Sequence, residues 1–174
     1  MQPEQALDLI RHPAITVDFP TNWADLGSGS GLFSHALASL LVPGSKIFAI
    51  DKNTGIFERH QKTNEVIIET MEADFITESL KIHDLDGILM ANSLHFVAGK
   101  IDFISKLSSY FAKQECFLIV EYDMDMSNPW VPFPISFHSL QKLFQDLDYH
   151  FIQKIDELPS RYNRSNIYSA LVKR

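Results

Sequence analysis

The residues best suited to chemistry lie in one stretch, Trp23-Ala24-Asp25-Leu26-Gly27-Ser28-Gly29-Ser30-Gly31-Leu32-Phe33. An acid is followed by glycine at every second position, so the backbone can turn sharply and approach a ligand without Cβ atoms in the way. Leu32, Phe33, Ala36, Leu37, Leu40 and Leu41 then recur at helical spacing, which predicts a helix with one face on a sheet. The start of such a helix presents unpaired N–H groups to a negatively charged ligand group. Val42-Pro43-Gly44 ends it, and the apolar run Lys46-Ile47-Phe48-Ala49-Ile50 closes on Asp51. An acid at a strand tip roughly twenty residues beyond a glycine turn suits bidentate capture of a ribose diol. Two further tips carry polar candidates: Ala73-Asp74-Phe75 after a third apolar run, and Asn92-Ser93 after a fourth.

The elements that must position these residues follow from pattern. Residues 2–10 read as a short helix, with Pro3 and Glu4 suiting its first turn. Residues 11–21, with Pro13 and Pro20, read as a loop. A helix is predicted over 54–62, a third strand within Val66–Glu72, and a fourth over Leu85–Asn92, apolar enough to be buried on both faces. Ile101, Ile104, Leu107, Ser108 and Phe111 mark an amphipathic helix, and Cys116–Tyr122 a fifth strand. Pro129, Pro132 and Pro134 exclude a helix from Asp123 to Ile135. Ser136 can cap a helix burying Leu140, Leu143, Phe144 and Leu147, with Asp148 where a terminating glycine would be expected. Residues 149–156 and 165–173 read as two last strands joined by a hairpin. The chain of 174 residues is expected to form a single domain, 1–174, with residues 1–20 a short N-terminal helix and loop. Strands alternating with helices imply a doubly wound α/β sheet.

The glycine turn departs from two common nucleotide loops. Leu32 stands where the dinucleotide pattern G-x-G-x-x-G has its third glycine, and no Gly-Lys-Ser/Thr follows. With G-x-G-x-G after Asp25, Asp51 at the second tip, Asp74 at the third and Asn92 at the fourth, the chain resembles the class I S-adenosylmethionine-dependent methyltransferases of the small, single-domain bacterial type. The resemblance runs from about residue 23 to residue 122 by motif and implies a seven-stranded Rossmann-like sheet of order 3-2-1-4-5-7-6 with the last strand antiparallel. It implies S-adenosylmethionine as cofactor and a transferase acting by direct displacement on a small-molecule acceptor.

Transferred onto this sequence, the family pattern puts Gly27, Ser28, Gly29 and Gly31 along the methionine part of the cofactor. Asp25 binds its amino group through water or orients the loop, the alternative being a cap on loop N–H groups. Asp51 accepts the ribose hydroxyls, and Lys52 and Asn53 flank ribose and adenine. Asp74, between Ala73 and Phe75, accepts the adenine amino group, with Phe75 offering its backbone N–H and an apolar wall. Asn92 and Ser93 lie beside the methionine chain and departing sulfur. A general base is needed only where the nucleophile arrives protonated. His95 is the first candidate and Tyr122 the second, the alternatives being a packed histidine and a core tyrosine. The segment after Asn92 lacks the Pro-Pro-aromatic sequence found in many enzymes methylating exocyclic or amide nitrogens. Substrate contacts are expected from Asp123, Trp130, Phe133, Arg161 and Arg164. For Trp130 and Phe133 the alternative is a loop covering the sheet edge, and for the arginines solvated turn charges. Two rival readings stay open: a nicotinamide-dependent oxidoreductase, and a non-catalytic binding module of methyltransferase-like fold.

Composition narrows the partners. Forty-five per cent hydrophobic and 21% charged residues describe an ordinary globular chain, and a net charge of −7 argues against nucleic acid as the default partner. Seven histidines without an H-x-x-x-H pair and one cysteine without C-x-x-C predict no metal. Cys116 sits in an apolar run, in keeping with a reducing compartment. No apolar run reaches bilayer length and no basic-then-apolar leader opens the chain, so no membrane association and a cytoplasmic location are expected.

Overall fold

The computed structural model describes residues 1–58, 64–160 and 165–174. In chain order the elements are α1 (Pro3–Ile10), β1 (Asn22–Leu26), α2 (Leu32–Ala38), β2 (Lys46–Asp51), β3 (Ile67–Glu72), β4 (Gly87–Ala91), α3 (Lys100–Leu107), β5 (Cys116–Tyr122), α4 (Phe137–Gln145), β6 (Phe151–Pro159) and β7 (Asn166–Lys173). Short 3₁₀ turns occupy Thr54–Ile56, Leu94–Phe96 and Ser108–Tyr110. The strands form one seven-stranded sheet of order β3-β2-β1-β4-β5-β7-β6. The first five pair in parallel, whereas β7 runs antiparallel to both β5 and β6. This is the doubly wound α/β topology expected above.

Two apolar clusters, one on each face, hold the sheet in three layers. Ala6, Leu9 and Ile10 of α1 and Phe33 and Leu37 of α2 pack with Trp23, Ile47, Leu89 and Leu118. Phe103, Ile104 and Leu107 of α3 and Leu140 and Phe144 of α4 pack with Ala24, Leu26, Ile88 and Phe117. Alternation along β1 therefore sends Trp23 and Asp25 toward α2, and Ala24 and Leu26 toward α3. Strand parity thus places an acid inside the α2 layer.

Local chemistry explains where helices stop. Ser136 Oγ accepts from the Ser139 N–H at 3.1 Å, a cap contributing about 1 kcal/mol. At the far end Asp148 takes the left-handed conformation (φ 62°) usually given to glycine, and the Tyr149 N–H closes on the Phe144 carbonyl. Other elements are shorter than the pattern predicts. α2 ends at Ala38, and Leu40 and Leu41 are buried from the turn that follows. α3 ends at Leu107 and tightens into the 3₁₀ turn, so Phe111 packs on the core from outside the helix, while Ile101 is 53% exposed. β6 starts at Phe151 and runs on to Pro159, leaving Tyr149 buried before it.

Of the helix predicted over 54–62, residues 54–56 form a single 3₁₀ turn, 57 and 58 are not helical, and 59–62 lie outside the described residues. The Asn53 side chain accepts from Gly55 N–H, and the Glu58 N–H donates to the Ser30 carbonyl, which draws residues 57 and 58 back to the glycine turn. No helix lies between β3 and β4 either. There Asp74 turns the chain by accepting the Ile76 N–H on its side chain and the Thr77 and Glu78 N–H groups on its carbonyl.

Candidate active site

The sheet order reverses between β1 and β4, and the residues of interest stand at the carboxyl ends of the strands around that point. The Gly27 and Ser28 N–H groups both donate to the Ile50 carbonyl, at 2.8 and 3.0 Å, which fastens the turn to the tip of β2. Gly27 has φ 84°, and a Cβ there would stand 2.5 Å from the Ser93 Cβ; no side chain fits. Gly29 (φ 52°) has no atom within 4 Å of the place its Cβ would occupy, so the turn is open on that side. Gly31 caps α2.

Asp51 closes over this turn. Its Oδ2 accepts the Gly29 N–H at 2.9 Å and its Oδ1 the Asn53 N–H at 3.0 Å. Each oxygen keeps a lone pair for a further donor. The Ala73 N–H donates to the Asp51 carbonyl, tying the tip of β3 to that of β2. Asp74 follows on the same rim: Lys52 Nζ lies 3.0 Å from its Oδ2, and the Ile76 N–H donates to Oδ1 at 3.0 Å. Burial pushes the Asp74 carboxyl up, but hydrogen bonds from Lys52, Thr77 and Ile76 outweigh it and hold it below the ordinary aspartate value. Phe75 is buried, edge-on to Phe103 and beneath Gly27.

Asp25 is only 1% exposed, and this is the most unusual feature of the site. Ser34 Oγ donates to its Oδ2 at 2.6 Å, while Oδ1 is buried without a partner. Desolvation raises its pKa from 3.8 to about 7; the Ser34 hydrogen bond offsets part of that rise, and the nearby Asp51 charge adds to it. No loop N–H groups are capped by it, so that alternative is not realised. At the tip of β4, Asn92 sits in the left-handed region (φ 53°) and its Oδ1 is likewise buried and unpartnered. Ser93 Oγ donates to the Leu26 carbonyl at 2.5 Å, so its hydroxyl serves the fold.

His95 is 3% exposed. Its Nδ1 lies 2.7 Å from Glu121 Oε2, and its backbone N–H donates to Glu121 Oε1 at 3.1 Å. Its carbonyl accepts the Phe133 N–H, and Lys100 Nζ donates to the carbonyls of Val97 and Phe133. This buried network fastens the β4 tip to the β5 tip and to the proline-rich segment. Burial lowers the Lys100 pKa, with the Glu121 charge opposing. Tyr122 lies next to His95, ring centroids 6.1 Å apart. Asp123 is engaged by the fold: Oδ1 accepts the Phe137 N–H at the start of α4, and Oδ2 faces Lys154 Nζ at 3.5 Å. Trp130 is 83% exposed, and Phe133 lies beneath Lys100 Nζ. Arg161 and Arg164 lie outside the described residues.

A cavity of about 260 Å³ opens beside Asn92, between the starts of α1 and α2 and the tips of β5, β6 and β7. His95 is not among its described walls. Glu121, Ser34 and the cavity residue Leu158 are absent from the sequence-based site. The acid inside the apolar run Cys116–Tyr122 is the signal that could have found Glu121. Among the described residues no three His, Cys, Asp or Glu side chains converge as a metal set, and burial pushes the Cys116 thiol to about 11, which leaves it inert. Among the described residues no helix is long and apolar enough to cross a membrane.

Known structures share this fold. An S-adenosylmethionine-dependent methyltransferase from Aquifex aeolicus matches with a TM-score of 0.63 and 16% identity, over 99% of this chain and 98% of that one. An S-adenosylmethionine-dependent O-methyltransferase from Thermotoga maritima gives 0.65 and 18% over 100% and 66%. A third such methyltransferase, from Methanosarcina mazei, gives 0.64 and 16% over 95% and 99%. The chain has the class I methyltransferase fold. No family model and no curated protein matches its sequence.

Proposed function

We propose that this chain is an S-adenosylmethionine-dependent methyltransferase acting on a small-molecule acceptor. The observation that carries the reading is the continuous rim Gly29–Asp51–Lys52–Asp74 at the point where the sheet order reverses. The residues present fit the cofactor. A buried carboxylate oxygen without a partner, Asp25 Oδ1, suits an ammonium group, and the open side of Gly29 leaves room for a chain to pass. Asp51 retains lone pairs for a diol. Lys52, 63% exposed at its side chain, can swing off Asp74 to free an acceptor for an adenine amino group. Ala73, Phe75, Asn53 and the backbone of Asn92 and Ser93 complete the cleft.

When bound, S-adenosylmethionine supplies an electrophilic methyl whose carbon–sulfur electron pair leaves with the sulfur. The protein has to align the acceptor and exclude water. Asn92 and Tyr122 stand where the cleft meets the cavity and position the acceptor. His95, whose Nδ1 is held by Glu121 and whose ring does not line the cavity, fixes the position of the β4 tip. Isothermal titration with S-adenosylhomocysteine tests the reading: micromolar binding is expected, weakened at least a hundredfold in Asp51→Ala. Absence of heat with the intact protein refutes it.

A further inference from the structure

A second cavity, of about 270 Å³, opens at the end of the sheet opposite the cleft. It lies against the amino ends of β1, β4 and β5 and the last residues of β7, where Trp23 pairs with Gly87 and Cys116 with Lys173. The loop before β1 forms its apolar side. Ala14 and Val17 are half-buried there, and Phe19 is 56% exposed. Trp23 closes the floor: its Nε1 donates to Thr21 Oγ1 at 3.2 Å, and its ring lies across Gly87, where a Cβ has no room.

The polar groups of this cavity divide into those the fold has already engaged and those it has not. Thr21 Oγ1 is taken by Trp23, Asp86 Oδ2 accepts the Asn22 N–H at 2.8 Å, and Gln114 Nε2 donates to the Arg174 carbonyl at 3.0 Å. Burial dominates the Cys116 thiol; of the charges that reach it, Lys173 lowers its pKa and Asp86 raises it, so both charges act at this cavity. Lys46, Lys52 and Lys154 stand in ion pairs, whereas Lys113 and Lys173 stand in none among the described residues. The rim therefore carries two unpaired ammonium groups against one carboxylate, beside an exposed phenyl ring. A ligand with one negative charge balances it, while a dianion would meet the Asp86 charge uncompensated. Covering the Phe19 ring with apolar atoms is favourable, and a flat ring suits its face. A cavity of about 150 Å³ holds one benzene ring, so about 270 Å³ suits a naphthyl-sized body.

We propose that this cavity is a second ligand site, for an aromatic monocarboxylate whose rings lie against Val17 and Phe19 and whose carboxylate sits between Lys113 and Lys173. It is separate from the cleft and does not rest on the methyltransferase reading.

Nitrogen–proton correlation NMR tests it, because the chain holds two tryptophans and only Trp23 lies at this cavity. Trp130 follows β5 at the other end of the sheet and is the internal control, with Trp130→Phe assigning the two indole signals. 2-Naphthoate is expected to shift the Trp23 indole N–H saturably and to leave that of Trp130 in place. 2-Naphthalenemethanol keeps the rings without the charge and should bind about fivefold more weakly, the loss expected for two exposed ion pairs. 2-Naphthyl phosphate should bind no tighter than 2-naphthoate. Lys113→Met combined with Lys173→Met should weaken 2-naphthoate by the same factor of about five, whereas arginine at both positions should retain it. Phe19→Ser, in an exposed loop position, should weaken it about threefold or more. The thermal midpoint of each variant distinguishes loss of the site from loss of the fold. No saturable Trp23 shift, a Trp130 shift of equal size, equal binding of the alcohol or tighter binding of the phosphate overturns the proposal. So does binding indifferent to the paired methionines or to Phe19→Ser.

Discussion

Replacing Asp25 by asparagine separates what this residue does for the fold from what it does for a ligand. Asp25 is 1% exposed, has one hydrogen bond from Ser34, and has a pKa raised from 3.8 to about 7. The folded protein therefore holds the proton more tightly than the unfolded chain. Stability contributed by the protonated acid is full below the unfolded value and is lost as pH rises through about 7. At 1.36 kcal/mol per unit, the whole loss amounts to roughly 4 kcal/mol, of which roughly 2–3 falls between pH 5 and 8. Asparagine carries no charge to desolvate and can still pair with Ser34. Urea denaturation of both proteins should show the variant-minus-parent difference growing by roughly 2–3 kcal/mol from pH 5 to pH 8, with Asp25→Asn the more stable at pH 8. Binding should move the other way. An ammonium group prefers the ionised acid, so S-adenosylhomocysteine should bind the parent more weakly as pH falls below 7, and Asp25→Asn weakly throughout with that dependence removed. A stability difference that stays constant with pH, or a variant that binds as the parent does, refutes the reasoning.

Two more perturbations address the turn and the buried pair. Gly27→Ala meets the Ser93 Cβ at 2.5 Å and should cost roughly 3 kcal/mol of stability. Gly29→Ala, at φ 52° in open space, should cost only about 1 kcal/mol while weakening S-adenosylhomocysteine at least tenfold; a thermal-shift and titration pair reads both, and equal destabilisation by the two changes contradicts the geometry. Glu121→Ala removes the acceptor for both the His95 N–H and Nδ1 and should cost roughly 3 kcal/mol. A double-mutant cycle with His95→Ala should give a coupling above about 1 kcal/mol, and additivity would mean the two side chains do not depend on each other.

Much of the architecture was legible because it is local. Continuous apolar runs marked β2 and β5, and β5 spans the expected Cys116–Tyr122. Ser136 announced its helix by a cap that needs only a hydroxyl three residues before an N–H. Within residues 54–58 the expected helix is only a 3₁₀ turn at 54–56, for a reason equally physical: the Glu58–Ser30 hydrogen bond draws the chain back to a loop far away in sequence, which no pattern within residues 54–58 encodes. The surroundings of Asp123 were hidden in the same way. No local pattern shows that α4 brings the Phe137 N–H onto its Oδ1.

What residue type and spacing determined was the set of polar groups at successive strand tips, because a strand's alternation and a turn's need for glycine act over a few residues. What tertiary structure decided was the state of those groups. Asp25 holds its proton near neutrality because α2 covers it, His95 is fixed because Glu121 arrives from a neighbouring strand, and the cavity exists because α1, β5, β6 and β7 meet beside Asn92. Desolvation and packing depend on every atom that surrounds a group, and those neighbours are chosen only when the chain has folded.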